Sequence, residues 1–221
     1  MVLPTTRLKF FGFGTINGTD GKPFKTRDGG VMELSTLISL LREEIEKKVK
    51  LKNEKSTNNE EENDIEKIID KLTIATLKYT DLLSYRKTDY IFDPVKFSSL
   101  EGKTGPYVLY GIVRIKSILK KIEDKNQKLK CISNDDVRNI LIKVVQLSQV
   151  LTQSYKEATL NYITDYLCEI TNLFNKFYND NNIIREEDNN KKETYVALIK
   201  LVYNVCHNLL DILAIEEVDK M

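Results

Sequence analysis

The 221-residue chain contains one histidine and three cysteines, and this scarcity narrows its chemistry at once. His207 lies between Cys206 and Asn208 in a helical pattern. A lone helical imidazole is far more often a packing or surface residue than a base, so it is given no catalytic role. It cannot complete a zinc site with scattered thiols either, and no metal site is predicted. Cys131, Cys168 and Cys206 are odd in number and form no Cys-x-x-Cys, so they read as free thiols, small buried hydrophobes in a reducing compartment. No apolar run approaches the length of a membrane span and the first residues carry no signal-peptide pattern, which predicts no membrane association and a cytoplasmic protein. Charge of one sign is also lacking. The formal net charge is +1, so bulk electrostatics announce no nucleic-acid binder.

What is present is helical periodicity. Leu34, Leu37, Ile38, Leu41, Ile45 and Val49 recur at helical spacing, with Ser35 placed to cap. Residues 53–63 hold no apolar side chain and read as a polar, solvated linker. The pattern resumes with Ile65, Ile68, Ile69, Leu72 and Tyr79 behind a cap at Asn63 or Asp64, and residues 86–105, with Pro94 and two glycines, read as an irregular connection. Gly105-Pro106 opens a helix whose stripe is Val108, Ile112, Ile115, Leu119 and Ile122. Asn134 caps the next, with Val137, Ile140, Val144, Leu147 and Leu151 as its stripe. Leu160 to Phe177 and Tyr195 to Ile212 complete the set. Antiparallel helices joined this way make a bundle. The fold class is therefore all-α, with a small irregular or β-containing N-terminal segment.

Several short motifs dissolve on inspection. Gly102-Lys103-Thr104 lacks the glycine that a phosphate-binding loop needs five positions earlier, where Phe97 stands. Gly21-Lys22 has Ile16 at that position and Pro23 where a hydroxyl belongs. The carboxylate pairs Glu61-Glu62 and Glu186-Glu187 fall in polar connections and read as solvated charge. Two features survive. The first is Asp20-Gly21-Lys22-Pro23-Phe24-Lys25-Thr26-Arg27, a permissive loop whose cations and hydroxyl suit a polyphosphate or a nucleic-acid end. The second is Tyr107, Tyr110 and Arg114, clustered on a helix face away from the aliphatic stripe. Aromatic rings beside a guanidinium can stack on unpaired bases and hold phosphate, although tyrosines packed against a neighbouring helix would look the same. The cations themselves are local, five within residues 1–30 and seven from Pro106 to Lys130.

The loop resembles the signature loop of class I arginyl-tRNA synthetases in its Gly-Lys-x-Phe-Lys-Thr-Arg form. The resemblance continues through Asp89-Tyr90-Ile91-Phe92-Asp93, Glu101-Gly102-Lys103-Thr104-Gly105-Pro106-Tyr107 and Phe174-Asn175-Lys176-Phe177-Tyr178-Asn179 to the closing residues up to Met221. It is a resemblance to the C-terminal part of such an enzyme, without the nucleotide-binding sheet and the His-Ile-Gly-His-type motif. It implies a remnant of the catalytic domain at 1–34 and a helical anticodon-binding domain at 35–221. Lys22 and Lys25 would be the loop's main cations on ATP, with Thr26 and Arg27 supporting and Mg2+ accompanying the nucleotide. No nucleotide is expected on this chain alone.

The resemblance further implies anticodon contacts from Tyr107, Tyr110, Arg114, Phe177, Tyr178, Asn179 and Met221, with Phe177 able to belong to the core instead. Leu209 and Ala214 stand where that family commonly has glycine, and Lys220 where it has arginine. The expected partner is tRNA(Arg), not DNA. The chain is expected to be a monomer, with self-association open through the surface that would face a catalytic half, and inactive in charging tRNA by itself. Two other readings stay open: a free-standing RNA-binding paralogue, and a helical interaction module that binds no RNA.

Overall fold

A computed structural model describes residues 9–23, 33–52, 59–122 and 127–221. In chain order the elements are β1 (Ile16–Asn17), α1 (Leu34–Lys52), α2 (Asn59–Leu83), β2 (Tyr90–Ile91), α3 (Pro94–Phe97), α4 (Gly105–Leu119), α5 (Asp135–Val145), α6 (Leu147–Glu157), α7 (Asn161–Asp180) and α8 (Asn189–Ile212). The only sheet among the described residues is the parallel pair β1–β2, with Ile16 opposite Tyr90 and Asn17 opposite Ile91.

The helices start where side chains can take up the orphan amide hydrogens of a first turn. Thr104 accepts from the Tyr107 amide at 3.2 Å and precedes Gly105-Pro106, so the proline sits where no amide hydrogen is needed. Asn134 accepts from Val137 at 3.0 Å, with Asp135 and Asp136 in the first turn where the helix dipole favours anions. Asp188 caps α8 through Asn190 and Lys191. The C-terminus of α8 closes as a Schellman turn: the Ile215 amide donates to Leu210 and that of Ala214 to Asp211. Ala214 holds φ 52 there, a left-handed conformation that glycine takes more readily, and Lys78 donates to its carbonyl.

α7 is the hub, in contact with α2, α4, α5, α6 and α8. Its buried face includes Ile163, Leu167, Ile170, Phe174 and Phe177, which is the periodic stripe. Each such side chain contributes roughly 1.5–3 kcal/mol on burial. One core runs from Ile45 of α1 and Ile69, Leu72 and Tyr79 of α2 through α4, α5, α7 and α8 to Val218. Tyr79 is fully buried and donates to the Thr164 carbonyl at 2.7 Å, tying α2 to α7. Burial pushes its hydroxyl pKa well above the ordinary tyrosine value. A separate small cluster of Leu37, Leu41 and Phe92 carries the β1–β2 pair. Cys168 and Cys206 are buried and Cys131 is half-buried, all as free thiols; burial pushes the Cys206 thiol up to about 12.

Five local expectations change. Ser35 does not cap α1: Glu33 does, its carbonyl accepting from Thr36 and Leu37 while Ser35 donates to the Glu33 carboxylate. Of the linker expected at 53–63, residues 59–63 belong to α2, and 53–58 lie outside the described residues. A glutamate-rich run has good helix propensity but no apolar period to reveal it. Asn63 and Asp64 therefore lie inside the helix rather than capping it. The stripe from Val137 to Leu151 belongs to two helices that meet at Gln146, with neither glycine nor proline to mark the break. The partner of β1 comes from residues 90–91, inside the connection expected to be irregular.

Candidate nucleic-acid interface

Tyr107, Tyr110 and Arg114 are spaced i, i+3 and i+7 on α4, so they share one face, and all three are half-buried. That face meets α7. The contact is close because Gly111 lies within it: a Cβ on Gly111 would come 2.5 Å from Cγ2 of Thr171. Thr171 is buried and its hydroxyl donates to the Leu167 carbonyl at 2.7 Å, so it has little room to turn aside.

At this distance α7 supplies Asn172, Asn175 and Tyr178. Arg114 sits between two rings, its guanidinium carbon 4.8 Å from the centre of Tyr110 and 4.7 Å from that of Tyr178. Its Nη1 donates to Asn175 Oδ1 at 2.6 Å and its Nη2 to the Tyr110 hydroxyl at 3.2 Å. Asn175 Nδ2 donates to the Tyr107 hydroxyl at 3.0 Å, and that hydroxyl donates to Asn172 Oδ1. Tyr178 is 38% exposed, which leaves one face of the stack open. A guanidinium seated between two aromatic rings, with part of its donor edge uncommitted, is equipped to hydrogen-bond an unpaired base that stacks beside it.

The remaining expected residues divide. Phe177 is fully buried, its ring 5.1 Å from Tyr195 in an edge-on contact, so it belongs to the core and offers nothing to a partner. One residue further, Tyr178 points outward, and Asn179 is exposed beside it. Met221 is half-buried and closes an apolar groove with Ile45, Val49, Leu72, Leu100 and Pro106. Asn172, Asn175 and Gly111 received no role from the sequence. The two asparagines lie off the α7 stripe at i and i+3, which is a readable signal, whereas nothing local marks Gly111.

The basic surplus expected along 106–130 is partly neutralised. Lys116 pairs with Glu217 at 2.5 Å and Asp219 at 2.9 Å, and Lys130 with Glu193 at 2.9 Å. The first pairing belongs to a clamp on the C-terminal tail. His207 Nδ1 lies 2.9 Å from Glu217, Tyr203 donates to the same carboxylate at 3.2 Å, and the Tyr203 and His207 rings stack. Burial works to raise the Glu217 pKa, but hydrogen bonds from Lys116 and His207 outweigh it and hold the carboxyl below its usual range. His207 thus has a structural place.

In the signature loop, Lys25, Thr26 and Arg27 lie outside the described residues. The part up to Pro23 is a hairpin turn rather than a loose loop. Gly18 donates to Lys22 and Gly21 to Gly18, each at 2.9 Å, with Gly21 at φ +74. Lys22 follows it, side chain exposed and amide held by Asp20 at 3.1 Å. A hydrogen-bonded turn with an exposed lysine fits a phosphate contact. Among the described residues no His, Cys, Asp and Glu group could hold a metal, and no helix is long and apolar enough to cross a membrane.

The described residues thus form a helical bundle that carries an aromatic–guanidinium face, next to a short strand–turn segment. Residues 108–221 match the DALR anticodon binding domain family, and the chain belongs to it. Residues 2–94 match the family of tRNA synthetases class I (R), catalytic domain. The chain is 42% identical over 218 residues to the arginine–tRNA ligase of Alkaliphilus oremlandii, covering 97% of this chain and 36% of that one. With the ligase of Agathobacter rectalis it shares 38% over 229 residues, covering 100% and 38%. It therefore spans little more than a third of the length of these relatives. The solved arginyl-tRNA synthetases of Thermus thermophilus (TM-score 0.81, 18% identity, 95% of this chain and 35% of that one) and Plasmodium falciparum (0.76, 20%, again 95% and 35%) share the fold.

Proposed function

We propose that this chain binds the anticodon region of tRNA(Arg) through the α4–α7 face, as the C-terminal part of an arginine–tRNA ligase. The observation that carries the reading is the seating of Arg114 between Tyr110 and Tyr178, with Tyr107 held alongside by Asn175. Base–aromatic stacking is worth roughly 1–3 kcal/mol per base, and a guanidinium adds direction that stacking alone lacks. Tyr107, Tyr110, Arg114 and Tyr178 form the contact surface, with Asn179 and Met221 as further contacts, and Phe177 supports it from beneath.

In the full-length ligase, ATP with Mg2+ supplies the chemical activation of arginine. This chain's part is to bring positive charge and a hydroxyl to the phosphates from Lys22, Lys25, Thr26 and Arg27. On this reading the chain alone does not charge tRNA, acts in the cytoplasm and is monomeric. We also propose that residues 1–34 are a catalytic-domain remnant and that residues 35–221 form the helical anticodon-binding domain. Support comes from Ile45, Ile69, Leu72 and Tyr79, which lie in one core with α4, α7 and α8; the two family matches instead meet between residues 94 and 108.

The test is fluorescence anisotropy of this chain with an arginine tRNA and with the same tRNA carrying an altered anticodon, across a salt series. The reading expects clear preference for the native anticodon at every salt concentration. Equal, salt-sensitive affinity for both would reduce the surface to non-specific phosphate binding. No binding to either would favour the helical interaction module.

A further inference from the structure

The hydrogen bonds around Arg114 have one direction only, and this assigns a role to a residue that need not touch RNA. A guanidinium has donors and no acceptor, so the Asn175 atom facing Arg114 must be the carbonyl oxygen. The Asn175 amide nitrogen is thereby turned to Tyr107, 3.0 Å away, and can only donate to that hydroxyl. The Tyr107 hydroxyl then sends its single proton to Asn172 Oδ1, and Asn172 Nδ2 ends the chain on Cys168 Sγ at 3.7 Å. Two consequences follow from this polarity. Tyr107 has committed its only proton, so it offers a partner its ring rather than a donor. The two rings place the Arg114 guanidinium carbon but do not by themselves set where its N–H groups point. That orientation is set by Asn175 on one nitrogen and Tyr110 on the other.

We propose that Asn175 is the positioning residue that aims Arg114, and that it governs discrimination between anticodon bases rather than overall affinity for RNA. The proposal rests on the RNA-binding reading above. Removing Asn175 leaves the charge and both rings in place, so phosphate attraction and stacking persist. What is lost is the fixed edge that tells one base from another, since a guanidinium turning between rings meets several acceptor patterns equally well.

The experiment measures the ratio of affinities for an arginine tRNA and for the same tRNA with one anticodon base changed, at three salt concentrations. The proteins are wild type, Asn175→Ala and Asn175→Asp. Asn175→Ala is expected to reduce the ratio about tenfold, the scale of one hydrogen bond to a charged group, with an unchanged salt slope. Asn175→Asp keeps the acceptor for Arg114 and is expected to stay within about threefold of wild type; its added charge acts on both RNAs alike and cancels in the ratio. A wild-type ratio of one sinks the underlying reading. A wild-type preference that Asn175→Ala leaves intact, or that Asn175→Asp loses as fully as Asn175→Ala does, overturns the positioning role. If Asn175→Ala does not fold, Tyr107→Phe is measured instead. It removes the acceptor that holds the Asn175 amide while keeping the ring, and about a threefold fall in the ratio is expected, with no change overturning the proposal.

Discussion

The bundle and the N-terminal segment solve the burial problem in opposite ways. From α4 onward the apolar faces close on one another, and α7 touches five other helices. The segment from Lys9 to Pro23 instead rests on a cluster of three buried residues and leaves Phe10 95% and Phe13 87% exposed. Scattered surface hydrophobes are ordinary, but two phenylalanines this open within four residues are left without cover in the described structure. The contrast separates two kinds of functional surface. The α4–α7 face is assembled by a core that the chain supplies itself. The segment up to Pro23 is a hydrogen-bonded turn with little packed around it among the described residues.

The sharpest way to break the comparison is to attack the bundle where the expected RNA contact proved to be core. Phe177→Ala should cost about 3–5 kcal/mol, the range for emptying a buried aromatic site, and lower the midpoint of a thermal melt followed by circular dichroism by roughly 10 °C. Gly111→Ala is the next largest. Its methyl would meet Thr171, whose hydroxyl is tied to Leu167, so α4 and α7 must part by some tenths of an ångström. About 1–3 kcal/mol of stability should be lost, together with tRNA affinity measured on the protein that remains folded.

Glu217→Gln should cost about 1–2 kcal/mol through the tail clamp. Its sign with pH is fixed. The carboxyl is held below its usual range in the folded state, so its contribution is present above the ordinary carboxylate pKa and is lost as pH falls through the folded value. The variant's deficit should therefore shrink toward acid, read as the melting midpoint between pH 3 and pH 7 on that argument. Smallest of all, Phe10→Ser with Phe13→Ser should change the melt by less than about 0.5 kcal/mol, because neither ring is packed. A cooperative loss of stability in that double variant would show that the two regions are one unit after all.

Much of this was legible beforehand. The stripes at Ile163, Leu167, Ile170, Phe174 and Phe177 and at Tyr195, Leu198, Val202, Val205 and Leu209 are buried as their period requires. Thr104-Gly105-Pro106 and Asn134 start helices for reasons contained in three or four residues. The break at Gln146 was invisible, because it carries no turn residue and one stripe spans it. So was the helical character of residues 59–63, where there is no apolar period to read.

The candidate site divides along the same line. By itself the sequence determined that Tyr107, Tyr110 and Arg114 share a face off the core stripe, since helical spacing alone does that. Phe177 and Tyr178 are adjacent and chemically alike; the helical period places Phe177 with the core stripe, but only the packing of α7 against α4 makes Tyr178 the other half of a cation–π contact with Arg114. Asn175 and Gly111 acquired their roles the same way. A hydrogen bond between residues 61 positions apart, and a helix approach that tolerates only a hydrogen atom, are properties of two surfaces in contact. No local pattern encodes them, because each depends on a partner brought near only by the fold.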